Sequence, residues 1–149
     1  MTGPPATVLD CVKDGRASIR YIRRHAKELG IDPEKITVGG GSAGGHVALG
    51  TALFDSLDHA DEDLSVSCKP NALVLLFSVL DTSAEGYENK VIGDEWRTIS
   101  TLHQIRPKMP PMLISHGDKD PLPPYPTVMV FHKKMPDNRY GSVLGAHAR

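Results

Sequence analysis

Ser42, Asp118, Asp120 and His147 are the residues of this 149-residue chain whose types could together carry out covalent chemistry. A serine hydroxyl is a poor nucleophile until an imidazole removes its proton, and the imidazole needs a carboxylate to fix its tautomer and stabilise its cation. Ser42 stands in Gly39-Gly40-Gly41-Ser42-Ala43-Gly44-Gly45, between the apolar run Ile36-Thr37-Val38 and the small-residue helix start His46-Val47-Ala48-Leu49. Gly-x-Ser-x-Gly on a strand-to-helix turn is the nucleophile-elbow pattern. So tight a turn strains the serine backbone and pushes its hydroxyl clear of the sheet edge. Gly40 and Gly44 are expected there because a Cβ at either would collide with the neighbouring strand or helix. The helix that follows aims its free N–H groups, that of Ala43 among them, at the place where negative charge develops on an attacked carbonyl.

Two other chemistries share these glycines. Gly39-x-Gly41-x-x-Gly44 matches the dinucleotide fingerprint, which wants an acidic residue about 20 positions on at the end of the next strand. Asp61, Glu62 and Asp63 lie at that distance but precede the next strand-like run. A phosphate-binding P-loop lacks its Lys-Ser/Thr pair. The plainest alternative is a glycine-rich turn that only packs a helix on a sheet.

The elements that must position these residues are legible as an alternation. Residues 10–29 have one apolar helical face, Val12, Ile19, Ile22, Ala26 and Leu29, stopped by Gly30. Asp32-Pro33-Glu34-Lys35 turns the chain into strand 36–38, and a second helix runs from Ser42 to about Leu57. After the acidic loop 58–63, the continuous apolar run 72–77 reads as a strand covered on both faces. A helix around 94–100, a strand 112–115, a helix 127–134 and a short strand 140–144 complete the series. Such alternation gives a parallel sheet with helices on both faces and a crevice at the carboxyl ends of the strands. Ser42, then Asp118 or Asp120, then His147 follow three of those ends.

The chain resembles the α/β-hydrolase superfamily, and within it the carboxylesterases of the hormone-sensitive-lipase and acetyl-xylan-esterase type. The resemblance rests on Ile31-Asp32-Pro33-Glu34-Lys35-Ile36, on Gly39 to His46, and on Pro110-Pro111-Met112-Leu113-Ile114-Ser115-His116-Gly117-Asp118-Lys119-Asp120. It implies Ser42 as nucleophile, Asp120 as the acid with Asp118 as second choice, and His147 as base. It further implies a three-layer α/β/α fold with a mostly parallel sheet, here a single partial domain over 1–149 that lacks the first strands. The glycine-rich loop that supplies part of the family's oxyanion hole is absent from the sequence. The expected activity is hydrolysis of short-chain carboxylic esters through an acyl-enzyme, weak for the chain alone. The alternative is a non-catalytic half-domain that associates through strand 36–38, left at a sheet edge, as a homodimer.

Composition narrows the partners. Net charge is −1 with 40% hydrophobic and 23% charged residues, which favours a folded domain and argues against a basic nucleic-acid face. Arg20, Arg23, Arg24 and Lys27 are expected on a solvated helix face. Cys11 and Cys68 have neither disulfide-framework nor zinc spacing and are expected to be buried. The seven histidines lack metal-ligand spacing, so no metal or other cofactor is expected. His46 is expected to be a packed or surface residue, His103 is given no chemistry, and His116 is expected to stabilise the aspartate-bearing turn. No apolar stretch is long enough to span a membrane and no signal peptide is visible, so a soluble chain of open compartment is expected.

Overall fold

The computed structural model describes residues 6–86, 89–135 and 143–145, with backbone only for Val91 and 143–145. Four parallel strands, β1 (Thr37–Gly41), β2 (Ala72–Leu76), β3 (Met112–His116) and β4 (Val143–Gly145), pair in the order β1-β2-β3-β4. The register sets Gly40 against Leu75, Leu75 against Ile114, and His116 against Gly145. The crossovers carry helices α3 (Ala43–Leu53), the single turns α4 (Asn89–Ile92) and α5 (Trp96–Ile99), and α6 (Tyr125–Lys134). Consecutive parallel strands require such connections, and the crevice falls at their carboxyl ends.

Helix α1 (Val8–Arg24) begins with a capping box in which the Asp10 amide donates to Thr7 Oγ1 and the Thr7 amide to Asp10 Oδ2. The expected single helix over 10–29 breaks at His25, and a further turn, α2 (Ala26–Leu29), ends on Gly30 in the left-handed region at φ 68°. Val12, Ile19 and Ala26 are buried, but Leu29 is exposed. α1 lies close on α3 at Gly15, where a Cβ would come 3.0 Å from Val47.

The core joins Val12 of α1, Leu49 and Leu53 of α3, Leu73 and Leu75 of β2, Ile114 of β3, and Val128 and Phe131 of α6. These residues fill one face of the sheet. The run 72–77, expected to be covered on both faces, is covered on one among the described residues. Side chains alternate across a strand, and on the second face Leu76 of β2 and Leu113 of β3 remain 39% and 40% exposed. β1 forms an edge, as expected, and extends beyond 38 through three glycines. The helix expected to reach Leu57 stops at Leu53.

The basic helix face is not solvated throughout. Arg16 and Arg20 are each only 3% exposed. Arg16 clasps Asp58 through two 2.8 Å bonds, and Arg20 reaches the same carboxylate at 2.6 Å and the Val66 carbonyl at 2.9 Å. Arg23 donates to the carbonyls of Pro33 and Lys69 and to Asn71 Oδ1, whose own oxygen also accepts the Ile36 amide at 3.1 Å. Arg24 and Lys27 do lie exposed. The acidic loop is therefore docked on α1, and the arginine pairs hold Asp58 below the usual carboxylate range. Cys68 is buried as expected, whereas Cys11 is exposed. Asp58→Ala strands two buried guanidinium groups, and urea unfolding should show a loss of about 3 kcal/mol.

Candidate active site

Ser42 stands at the carboxyl end of β1 with φ 53° and ψ −123°, a conformation that costs L-residues on the order of 1–3 kcal/mol. Its neighbours hold it there. The Ser42 amide donates to the Leu76 carbonyl at 3.0 Å, and its carbonyl accepts from Gly45 at 3.1 Å, Val79 at 3.2 Å and His46 at 3.3 Å. Ala43 opens α3, so its amide belongs to the first turn, where the helix itself offers no acceptor.

The glycines around Ser42 are unequal. A Cβ on Gly40 would lie 2.5 Å from the backbone of Gly44, an impossible approach. A Cβ on Gly45 would lie 1.9 Å from Ser78 Oγ and 2.9 Å from the Gly40 carbonyl. At Gly44 nothing lies within 4 Å of the same position, so the collision expected there does not exist. The second tight contact falls one residue later, at Gly45, because α3 has by then turned its face toward β1 and the segment after β2.

That segment has no catalytic signature in the sequence, yet it surrounds Ser42. Phe77 takes φ 38°, and Ser42, Phe77 and Lys108 are the positive-φ residues other than glycine among those described. The Phe77 ring covers Gly41, where a Cβ would meet it at 2.7 Å. Ser78 is buried and its hydroxyl approaches the Leu76 carbonyl at 3.4 Å.

The aspartates follow β3. Asp120 Oδ1 accepts the Leu122 amide at 3.0 Å, which fixes the turn, while Oδ2 stands 4.0 Å from His116 Nε2. His116 is buried and donates through Nε2 to the Pro123 carbonyl at 2.8 Å, bracing this turn as expected. Asp118 is half-buried on the same turn. Ser42 and Asp120 thus follow strands separated by β2, at the same end of a parallel sheet. His147 lies outside the described residues.

Two other histidines, His46 and His103, have partners within the fold. His46 is buried, donates through Nε2 to the Ile99 carbonyl at 2.7 Å, and is pushed below the ordinary imidazole range by that burial. His103, given no chemistry from sequence, bonds through Nδ1 to Ser100 Oγ at 2.8 Å, and Ser100 donates to Asp81 at 3.2 Å. Ser100 is buried, so this second Ser, His and Asp cluster offers no accessible hydroxyl. A cavity of about 500 Å³ opens beyond it, lined by Asp81, Glu85, Lys90, Leu122, Pro123 and Thr127 among others; Ser42 does not line it. Two of the three acidic residues of the dinucleotide reading have local partners: Glu62 faces Arg20 at 3.8 Å, and Asp63 accepts the Ser65 amide. Among the described residues there is no cluster of metal-binding side chains and no helix long and apolar enough to cross a membrane.

A parallel sheet whose edge strand turns through a positive-φ serine into a helix, with an aspartate turn two strands away, defines an α/β-hydrolase fold. The chain belongs to the BD-FAE family, whose model matches residues 4–135. It is similar to Thermogutta terrifontis esterase 2 phosphoramylated by tabun, at 37% identity and a TM-score of 0.89 over 98% of this chain and 56% of that one. The butyrate-bound form of the same enzyme matches at 36% identity and a TM-score of 0.86, over 97% and 56%. Endo-1,4-beta-xylanase B of Butyrivibrio fibrisolvens is 28% identical over 91% of this chain and 24% of its own length. The chain therefore spans little more than half of the esterase and a quarter of the xylanase.

Two outcomes follow from this geometry. Gly40→Ala and Gly45→Ala should each lower stability by about 2 kcal/mol or more through overpacking. Gly44→Ala should be neutral or raise it by up to about 1 kcal/mol, since alanine is the better helix former; thermal melts of the three variants check this. Because folding depresses the His46 pKa, the unfolded chain binds the proton more readily. The contribution of His46 is complete above the ordinary histidine pKa of about 6.5 and is lost as pH falls below it. Urea midpoints should fall between pH 7.5 and 5, and His46→Gln should flatten that slope.

Proposed function

We propose that this chain forms the nucleophile-bearing part of a serine hydrolase that cleaves short-chain carboxylic esters. The observation that carries the reading is the backbone of Ser42, held in a costly positive-φ conformation at the start of a helix. Strain of this kind persists only where surrounding contacts enforce it, and it clusters at reacting groups. The similarity to an esterase solved with butyrate supports a short acyl chain.

In this mechanism His147 takes the Ser42 proton as Oγ attacks the ester carbonyl, while Asp120 orients the imidazole. The carbonyl oxygen gains the negative charge, and the Ala43 amide donates to it. Collapse of the tetrahedral intermediate breaks the bond to the alcohol, which leaves with the proton from His147. Water then attacks the acyl-enzyme, giving its proton to His147, and a second collapse returns that proton to Ser42 and frees the acid. Asp120 suits its part because one oxygen is already committed to the Leu122 amide, so the carboxylate is fixed before any imidazole meets it.

A second donor to the oxyanion is needed for full turnover, and its loss typically costs on the order of 10²–10³-fold. The open side of β1, next to Ser42, is where a further strand and such a donor would join. Weak turnover is accordingly expected of the chain alone. With p-nitrophenyl acetate, Ser42→Ala should fall to the background rate, and a fluorophosphonate should label the parent at Ser42 and leave the variant unlabelled. Equal hydrolysis by parent and variant would overturn the reading.

A further inference from the structure

We propose that Ser78 is a positioning residue for Ser42, acting through the Leu76 carbonyl. The inference rests on the proposed role of Ser42 and concerns a residue that the serine, aspartate and histidine assignments leave out. The Leu76–Val79 turn encloses the Ser42 peptide from both sides. Leu76 accepts from the Ser42 amide at 3.0 Å, and Val79 donates to the Ser42 carbonyl at 3.2 Å. The residues between them, Phe77 and Ser78, must then reverse the chain within two positions. Phe77 does so at φ 38°, where a bulky residue is an outlier.

Ser78 makes that turn rigid. Its hydroxyl approaches the Leu76 carbonyl at 3.4 Å, sharing the oxygen that fixes the Ser42 amide. Its side chain occupies the space where Gly45 has no Cβ, so it also abuts the first turn of α3, whose amides face the reacting carbonyl. The side chain is buried, which keeps it from touching substrate. Ser78 therefore sets where Ser42 stands and takes no part in the bond changes. A long or aromatic residue would push α3 away, and alanine would leave a gap against Gly45 and one hydrogen bond fewer on Leu76.

The experiment compares the parent with Ser78→Ala and with Ser78→Thr, which keeps the hydroxyl. Fluorophosphonate labelling should slow about ten-fold at saturating reagent in Ser78→Ala, with the half-saturating concentration unchanged, and recover most of the parent rate in Ser78→Thr. Hydrogen exchange of the Ser42 and Val79 amides should quicken about ten-fold in Ser78→Ala, while the Leu73 amide, bonded to Pro111 across the sheet, exchanges as in the parent. Unchanged exchange at both 42 and 79, or acceleration spread equally to residue 73, overturns the positioning role. If the parent itself does not label, the hydrolase reading fails, and the exchange comparison still decides whether Ser78 holds the Ser42 backbone.

Discussion

The rest of the site depends on keeping one residue, Ser42, in a conformation its own side chain disfavours. Nothing within the Gly39–Gly45 segment could do this alone. Glycines make the turn possible but also make it floppy, since glycine loses the most conformational entropy on folding. Much of the constraint comes from outside the turn. Four backbone hydrogen bonds converge on the Ser42 peptide, two of them from the Leu76–Val79 segment at the end of the neighbouring strand. Gly40 and Gly45 then let β1 and α3 approach so closely that no side chain could intervene. Strain and its remedy are thus contributed by different parts of the chain.

This arrangement asks much of β1. A strand rich in glycine packs few side chains and forms an edge, so it gains little from its own sequence. Its position is inherited from what surrounds it. β2 supplies a full parallel register, α3 lies against it, and Asn71 joins the Ile36 amide to the Arg23 guanidinium. Arg16 and Arg20 extend the same logic, tying the loop between α3 and β2 to α1 through a carboxylate that is nearly buried. Ion pairs of this kind add little when exposed, but here each missing partner would leave a charge without water. They fix the distance between α1 and the loop that leads into β2.

Much of this was legible in the sequence, for reasons that differ by element. The strands announced themselves through short apolar runs, and the turn at Ser42 through glycine spacing. Leu29 shows the limit of periodicity: it continues the apolar face of α1, but the helix breaks at His25 and the residue ends up exposed. The arginines at 16 and 20 were illegible as buried groups, because a charge on a helix carries no mark of the carboxylate 38 or more residues away that receives it. The tight contact falls at Gly45 and not at Gly44: the motif names spacing, whereas the contact depends on how α3 rotates after the turn. Phe77 and Ser78 were invisible, since Phe-Ser after an apolar run reads only as the end of a strand.

In the proposed mechanism Asp120 serves the fold and the chemistry together. Asp before proline favours a turn in which its side chain accepts an amide two residues on, and Asp120 does this with Leu122. Such a bond does not compete with the role proposed for Asp120, because a carboxylate has two oxygens and ample lone pairs. In the proposed mechanism it assists that role instead. An acid that must orient an imidazole works best when its own rotamer is fixed beforehand, and here one oxygen is anchored to the backbone while His116 braces the same loop through the Pro123 carbonyl. The buried imidazole at 116 is therefore best understood as support for the turn, and its 4.0 Å separation from Asp120 Oδ2 is too long for a hydrogen bond. That leaves the second oxygen oriented yet uncommitted to a short bond with His116, as a group waiting for a base from another part of the chain would be.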